Sequence, residues 1–211
     1  MTVEIAVLTK SSKHGGYCVA GINPRTGQWI RLVSGDERTH GALQIRDMQY
    51  GNGADCQPLD VARVPAIAES PLAYQPENVL VDRRYCWEWT GIISINDILK
   101  IHPPERHPFL FGNQKPYITA AEIGRAGHSL VLVKVKSLYI SHTTNPQGKR
   151  KTKAGFQYQS DWYHNMSVTD PVYYEVPDGT KIEAAALVIS LPDVPFQEDR
   201  YYKFIAQIYP L

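Results

Sequence analysis

Fifteen glycines and fifteen prolines are scattered along the whole chain rather than gathered at a few joints. They interrupt short apolar runs at intervals of about a dozen residues, which is the punctuation of a small barrel or sandwich and not of alternating strands and long helices. Proline removes a backbone donor, and glycine frees the positive φ that tight turns need. A chain broken this often predicts many short strands. No fixed-period repeat and no low-complexity tract competes with that reading.

The runs themselves have strand character. Val3–Leu8, Tyr17–Ile22 and Gln28–Val33 are rich in β-branched and aromatic residues, and Asn23-Pro-Arg-Thr-Gly27 between the last two is a hairpin signal. Further strands are expected at Asp60–Ala66, Val79–Asp82, Trp87–Ile92, Leu130–Ile140, Gly155–Tyr163, Val172–Val176, Ala185–Leu191 and Tyr201–Tyr209. In the last, alternation places Tyr202, Phe204, Ala206 and Ile208 on one core-facing side. Two short helices are expected, one over Ser94–Ile101 with Ser94 as its cap and one over Ile118–Arg125. The segment from His102 to Pro116 holds four prolines and is the expected domain boundary; the alternative is a long surface loop of one domain. The expected organisation is a first barrel over residues 1–105, a Pro-rich connection over 106–117 and a second barrel over 118–211.

Bulk properties narrow the function. Hydrophobic residues make up 43% of the 211-residue chain and charged residues 20%, ordinary values for a globular protein that buries a core. Net charge is only +1, so any basic surface is local, and a histone-like grip on duplex phosphates is disfavoured. Cys18, Cys56 and Cys86 are widely spaced with no Cys-x-x-Cys, so free thiols in a cytoplasmic setting are expected. No run approaches the roughly 18 apolar residues of a membrane span, and the N-terminal residues lack a signal-peptide layout.

Four groups of residues carry candidate binding chemistry. Lys10, Ser11, Ser12 and Lys13, followed by His14-Gly-Gly16, read as a loop able to cradle a phosphate, although the P-loop spacing is absent; the alternative is a polar turn. On the strand Gln28–Val33, Trp29 and Arg31 alternate away from Ile30 and Leu32. They are either an exposed stacking platform for nucleic acid or a second packed layer with Arg31 passing over it. Lys134 and Lys136 share a face with Leu132 and Leu138 and place positive charge at a sheet rim. Lys149, Arg150, Lys151 and Lys153 form a basic turn ahead of Phe156, Tyr158 and Trp162, which alternate onto one face. That last pattern is either a nucleic-acid platform or a solvated hairpin tip.

Catalytic signatures are sparse. Asp161 and His164 lie close together with Glu175 downstream, but acid–base pairs are defined by geometry. His102 and His107 have no matching second ligand pair, and neither Gly-x-Ser-x-Gly nor Gly-x-Gly-x-x-Gly occurs. No metal, cofactor or catalytic residue is assigned.

The opening I-A-V-L-T-K-S-S-K, Y-C-V-A-G-I and G-Q-W-I-R, with the closing L-V-I-S-L-P and Y-Y-K-F-I-A-Q-I, resembles the two ends of the bacterial dual OB domain-containing proteins. Leu32 stands where that pattern often has a proline. The resemblance implies two OB-type barrels and, by analogy, binding of nucleic acid or a nucleotide. The expected fold is therefore β-dominated with short helices: two OB-like antiparallel barrels in tandem. The expected function is a non-enzymatic module for single-stranded DNA or RNA or a nucleotide-like ligand, in a bacterial defence or mobile-element system. A protein-interaction adaptor and a nucleotide-acting enzyme are the alternatives. No membrane partner is expected.

Overall fold

The computed structural model describes residues 1–145, 147–196 and 198–211. It divides into two compact units, Met1–Pro103 and Pro104–Leu211. The first contains β1 (Thr2–Lys13), β2 (Gly16–Ile22), β3 (Trp29–Val33), β4 (Asp60–Glu69), β5 (Asn78–Val81), β6 (Glu88–Ile92) and helix α1 (Ile95–Ile101). The second contains β7 (Tyr117–Thr119), helix α2 (Ala120–Ala126), β8 (Leu130–Thr144), β9 (Arg150–Tyr158), β10 (Asp161–Val168), β11 (Lys181–Ser190), β12 (Arg200–Tyr202) and β13 (Phe204–Pro210).

One strand plan is used twice. In the first unit the order β1-β2-β3-β5-β4 is closed into a ring by β1–β4 pairing, and β6 adds to the outside of β4. In the second, β8-β9-β10-β13-β11 closes the same way. All ring pairs are antiparallel except β3–β5 and β10–β13, which are parallel and occupy equivalent places. A five-stranded Greek-key barrel with this repeated order is the OB plan. The turn that starts α1 follows the sequence signal at Ser94, whereas α2 begins at Ala120, two residues beyond the expected Ile118, which lies in β7. Ser94 Oγ accepts from Asp97 N at 3.1 Å, and Glu122 reaches back to Thr119 N at 2.7 Å. The hairpin at Asn23–Gly27 is also as expected, with Asn23 Oδ1 accepting from Arg25 N and Gly27 at φ +70°.

Each ring encloses its own core. Ile5, Val7, Val19, Leu32, Met48, Val64 and Trp87 fill the first; Val131, Val133, Leu138, Phe156, Tyr163, Leu187 and Ile205 fill the second. Gly21 sits where β1 and β2 cross most closely, and a Cβ there would lie 1.9 Å from the Ala6 carbonyl oxygen. No side chain fits at that point.

Several sequence expectations change in three dimensions. The Pro-rich residues 104–116 are part of the second unit: Leu110 enters its core, and Tyr158 Oη donates to the carbonyls of Glu105 and His107 at 3.2 and 2.8 Å. Val172 lies not in a strand but in a 3-10 turn over Pro171–Tyr173, opened by Asp170, whose carboxylate accepts from Val172 N at 3.1 Å. Gly155–Tyr163 is not one strand; it is the end of β9, a turn with Gln159 at φ +54°, and the start of β10. In β13 it is Ile205 and Ile208 that reach the core, because the register with β11 slips between Val188 and Ile189. Phe204 is turned to the outside as a result.

Candidate nucleic-acid interface

The two candidate groups in the first unit lose their predicted geometry. Residues Lys10–Lys13 are not a loop. They continue β1 and pair in register with Tyr17–Val19 and Gly16, and the chain reverses through His14 and Gly15, both at positive φ. A two-residue turn with positive φ at both positions matches strand twist, so the ladder runs to its tip and claims the backbone donors a phosphate cradle needs. Ser11 is buried, and Lys10 Nζ lies 5.4 Å from the Tyr17 ring centre. Trp29 and Arg31 do face away from Ile30 and Leu32, but that face is covered. Arg31 is only 3% exposed, with its Nη1 3.0 Å from Cys18 Sγ and its Nε 3.6 Å from a Glu77 carboxylate oxygen. Trp29 is half-buried and meets the His102 ring edge-on at 5.0 Å. Covering by Glu77 and His102, both far along the chain, is what strand alternation alone does not reveal.

The second unit brings its candidates together. A bulge at Ser137, which takes φ +51°, shifts the register between Lys136 and Tyr139. It sends Leu138 and Ile140 to the core and Tyr139 to the outside, so Leu138 does not share the lysines' face. Lys134 and Lys136 stay exposed on the outer surface. On β9, Thr152, Ala154, Phe156 and Tyr158 face inward, while Lys151, Lys153, Gly155 and Gln157 face outward. Tyr158 is therefore a core residue and not a stacking surface, with 1% of it exposed. Arg150 falls on the inward side at the barrel end and pairs with Glu175 at 3.2 Å. Lys149 stays exposed in the turn beyond, its backbone N–H held by Asn145 Oδ1 at 2.8 Å.

The cross-strand register arranges the outer face into rows. Lys136, Gln157 and Trp162 form one; Tyr139 and Gly155 form the next, with His164 Nδ1 close enough to lie 3.8 Å from a Cβ on Gly155. Ser141, Lys153, Ser167 and Phe204 form a third, and Thr143 with Lys151 a fourth. Trp162 is 44% exposed and Tyr139 40%, so both rings are open to solvent. The rings are stacked: Trp162 to His164 at 5.9 Å and 11°, Trp162 to Tyr139 at 6.4 Å and 29°. Lys181 extends the line, its Nζ 5.8 Å from the Tyr139 ring centre. Gly155 has no side chain to hold these rings off the sheet. Lys153 Nζ donates to Ser167 Oγ at 2.7 Å, and burial, with Lys151 nearby, lowers its pKa.

Sequence reasoning found Lys134, Lys136, Lys149, Lys151, Lys153 and Trp162 in this region. It did not place Tyr139, Gly155, Lys181 or Phe204 here, and it singled out His164 only as an acid–base neighbour of Asp161. Tyr139 was within reach, since an exposed aromatic follows the lysine pair by three residues, but only a bulge puts it on their side. Asp161 and His164 do not form a pair: Asp161 accepts from the Gln114 side-chain amide, while His164 stacks on Trp162.

Among the described residues no group of three or more His, Cys, Asp or Glu is placed to hold a metal ion, and no helix is long and apolar enough to cross a membrane. The chain has no significant match among curated proteins. The dual OB-containing domain model matches residues 3–208, spanning both rings. With two barrels of one strand order inside that span, the chain belongs to the dual OB-containing domain family.

Proposed function

We propose that this protein binds single-stranded nucleic acid on the outer surface of β8, β9 and β10 in its second barrel. The observation that carries the reading is the stacked line Tyr139–Trp162–His164, exposed and flanked by Lys134, Lys136, Lys151 and Lys153. Bases stack on aromatic faces regardless of sequence, while lysines at the rim neutralise phosphates. Two of these strands, β9 and β10, are the second and third of their barrel, whose face is the usual oligonucleotide surface of the OB fold. From Lys151 to Gln157 the face runs about 20 Å at the rise of a strand, a length suited to a few nucleotides. Duplex is disfavoured, because rings paired face to face have no counterpart in stacked, inward-facing base pairs.

The test is a salt-titrated panel of labelled single-stranded DNA, single-stranded RNA, duplex DNA and mononucleotides, followed by anisotropy and by tryptophan fluorescence of the wild type and of Trp162→Ala. Binding of single strands that weakens as salt rises, with quenching that is lost in Trp162→Ala, supports the reading. Salt-independent binding, or no preference for single strands over duplex, removes it.

A further inference from the structure

A second cluster of cationic side chains lies in the first barrel, away from the strands equivalent to the proposed surface. Arg46 stands in the 3-10 turn Ile45–Met48, and Arg83 and Arg84 follow the end of β5. With Asp47 they line a cavity of about 390 Å³. Asp47 organises it from beneath. This carboxylate is buried, takes the Gln44 N–H on one oxygen at 2.9 Å, and on the other receives Arg83 Nε at 2.9 Å with Arg46 Nε at 3.9 Å. Arg84 is held separately, its Nε and Nη2 on the two oxygens of Asp82 at 2.8 and 2.7 Å.

The plain role for such pairs is to fasten the 83–87 segment to the barrel, and Asp47–Arg83 and Asp82–Arg84 suffice for that. Arg46 is surplus to it. Its side chain is 78% exposed and its nearest carboxylate oxygen is already committed to Arg83. Bringing a third guanidinium to the rim of a cavity with two others adds like-charge repulsion that a clip does not need. An anion in the cavity relieves that repulsion, and each guanidinium retains N–H donors in a planar fork suited to phosphate oxygens.

We propose that Arg46, Arg83 and Arg84 form a phosphate-binding site in the first barrel, with Asp47 as the positioning residue that sets Arg83 and Arg46 side by side. The ligand chemistry is a phosphate group, supplied either by a nucleic-acid backbone or by a free phosphate ester.

The experiment uses the full chain, labelled with ¹⁵N and titrated with inorganic pyrophosphate, alongside anisotropy with a labelled oligothymidylate. Arg46→Gln is the central variant, because so exposed a side chain can be changed without unfolding the barrel; Arg46→Lys tests retained charge without the fork. Pyrophosphate is expected to shift amide resonances of residues 44–48 and 82–85 saturably, with a dissociation constant on the order of 1 mM. Arg46→Gln is expected to weaken binding about tenfold and Arg46→Lys to restore it in part. Trp162→Ala is expected to leave the pyrophosphate titration unchanged, so this site stands or falls apart from the surface on the second barrel. Loss confined to pyrophosphate identifies a free phosphate ester as the source. Loss in the oligothymidylate assay, with or without pyrophosphate, identifies backbone phosphates. No change in either assay on Arg46→Gln overturns the site.

Discussion

Removing the Trp162 side chain separates binding from folding. The ring lies on the outer face of β10, nearly half open to water, and its neighbours Tyr139 and His164 lean on it rather than on the core. Trp162→Ala should therefore cost about 1 kcal/mol of stability or less, roughly the value of one exposed aromatic pair. It should remove one base-stacking contact, worth about 1–3 kcal/mol, which is roughly a 5- to 150-fold loss of affinity. Trp29→Ala in the first barrel should do the reverse. Trp29 is half-buried against His102 beside the buried Arg31, and its loss should cost about 2–3 kcal/mol, less than the value for a fully enclosed ring. Urea unfolding and anisotropy on both proteins, in the same buffer, give the four numbers. A Trp162→Ala protein that binds normally, or a Trp29→Ala protein that keeps full stability and loses binding, would refute the assignment of the site to the second barrel.

Three further outcomes follow from the geometry. Replacing Lys136, Lys151 or Lys153 by alanine should each reduce the slope of log affinity against log salt by about 0.7, the value for one single-strand phosphate; unchanged slopes in all three would place the ligand elsewhere. Burial raises the Asp170 pKa to about 6 from 3.8 against the backbone donors Ile208 N and Val172 N, so the folded state holds this proton more tightly than the unfolded chain. Its contribution to stability is thus greatest below about pH 4 and is lost as pH rises through about 6, a change on the order of 3 kcal/mol. Wild type should lose ground to Asp170→Asn over that interval in paired unfolding curves, and a constant gap would contradict the assignment. Tyr158→Phe removes the donor to the Glu105 and His107 carbonyls and should cost about 1–2 kcal/mol. It should speed amide exchange across residues 105–113 while leaving oligonucleotide affinity intact.

The strand content and the β-dominated class were legible because both follow from period-2 patterning and turn chemistry, which act locally. What the sequence concealed came from two kinds of non-local event. Bulges and register slips reverse the alternation partway along a strand: Ser137 moves Tyr139 outward and Leu138 inward, and the slip opposite Val188 exchanges Phe204 for Ile205. Distant covering segments decide which of two polar faces is wet. Arg31 is enclosed by Glu77, 46 positions along the sequence, while Lys136 is exposed. For the same reason the basic run 149–153 was found as a cluster but not divided. Only pairing with β8 shows that Lys151 and Lys153 face the aromatic line and Arg150 does not.

The parallel pairs β3–β5 and β10–β13 also set the order in which each ring can be completed. Arg31 meets Asn78 and Ser167 meets Phe204 only after the intervening fourth strand has been laid down. Until β13 arrives, β10 and β11 each present an unsatisfied edge, and two such edges in one nascent chain invite pairing with another copy. Non-local closure of this kind is slow, in the millisecond-to-second range for small β barrels. The first ring needs nothing beyond β5 to close, so during synthesis it can be sealed while the second is still emerging. The aggregation hazard of this protein is therefore concentrated in the interval between the appearance of β11 and the docking of Phe204–Pro210.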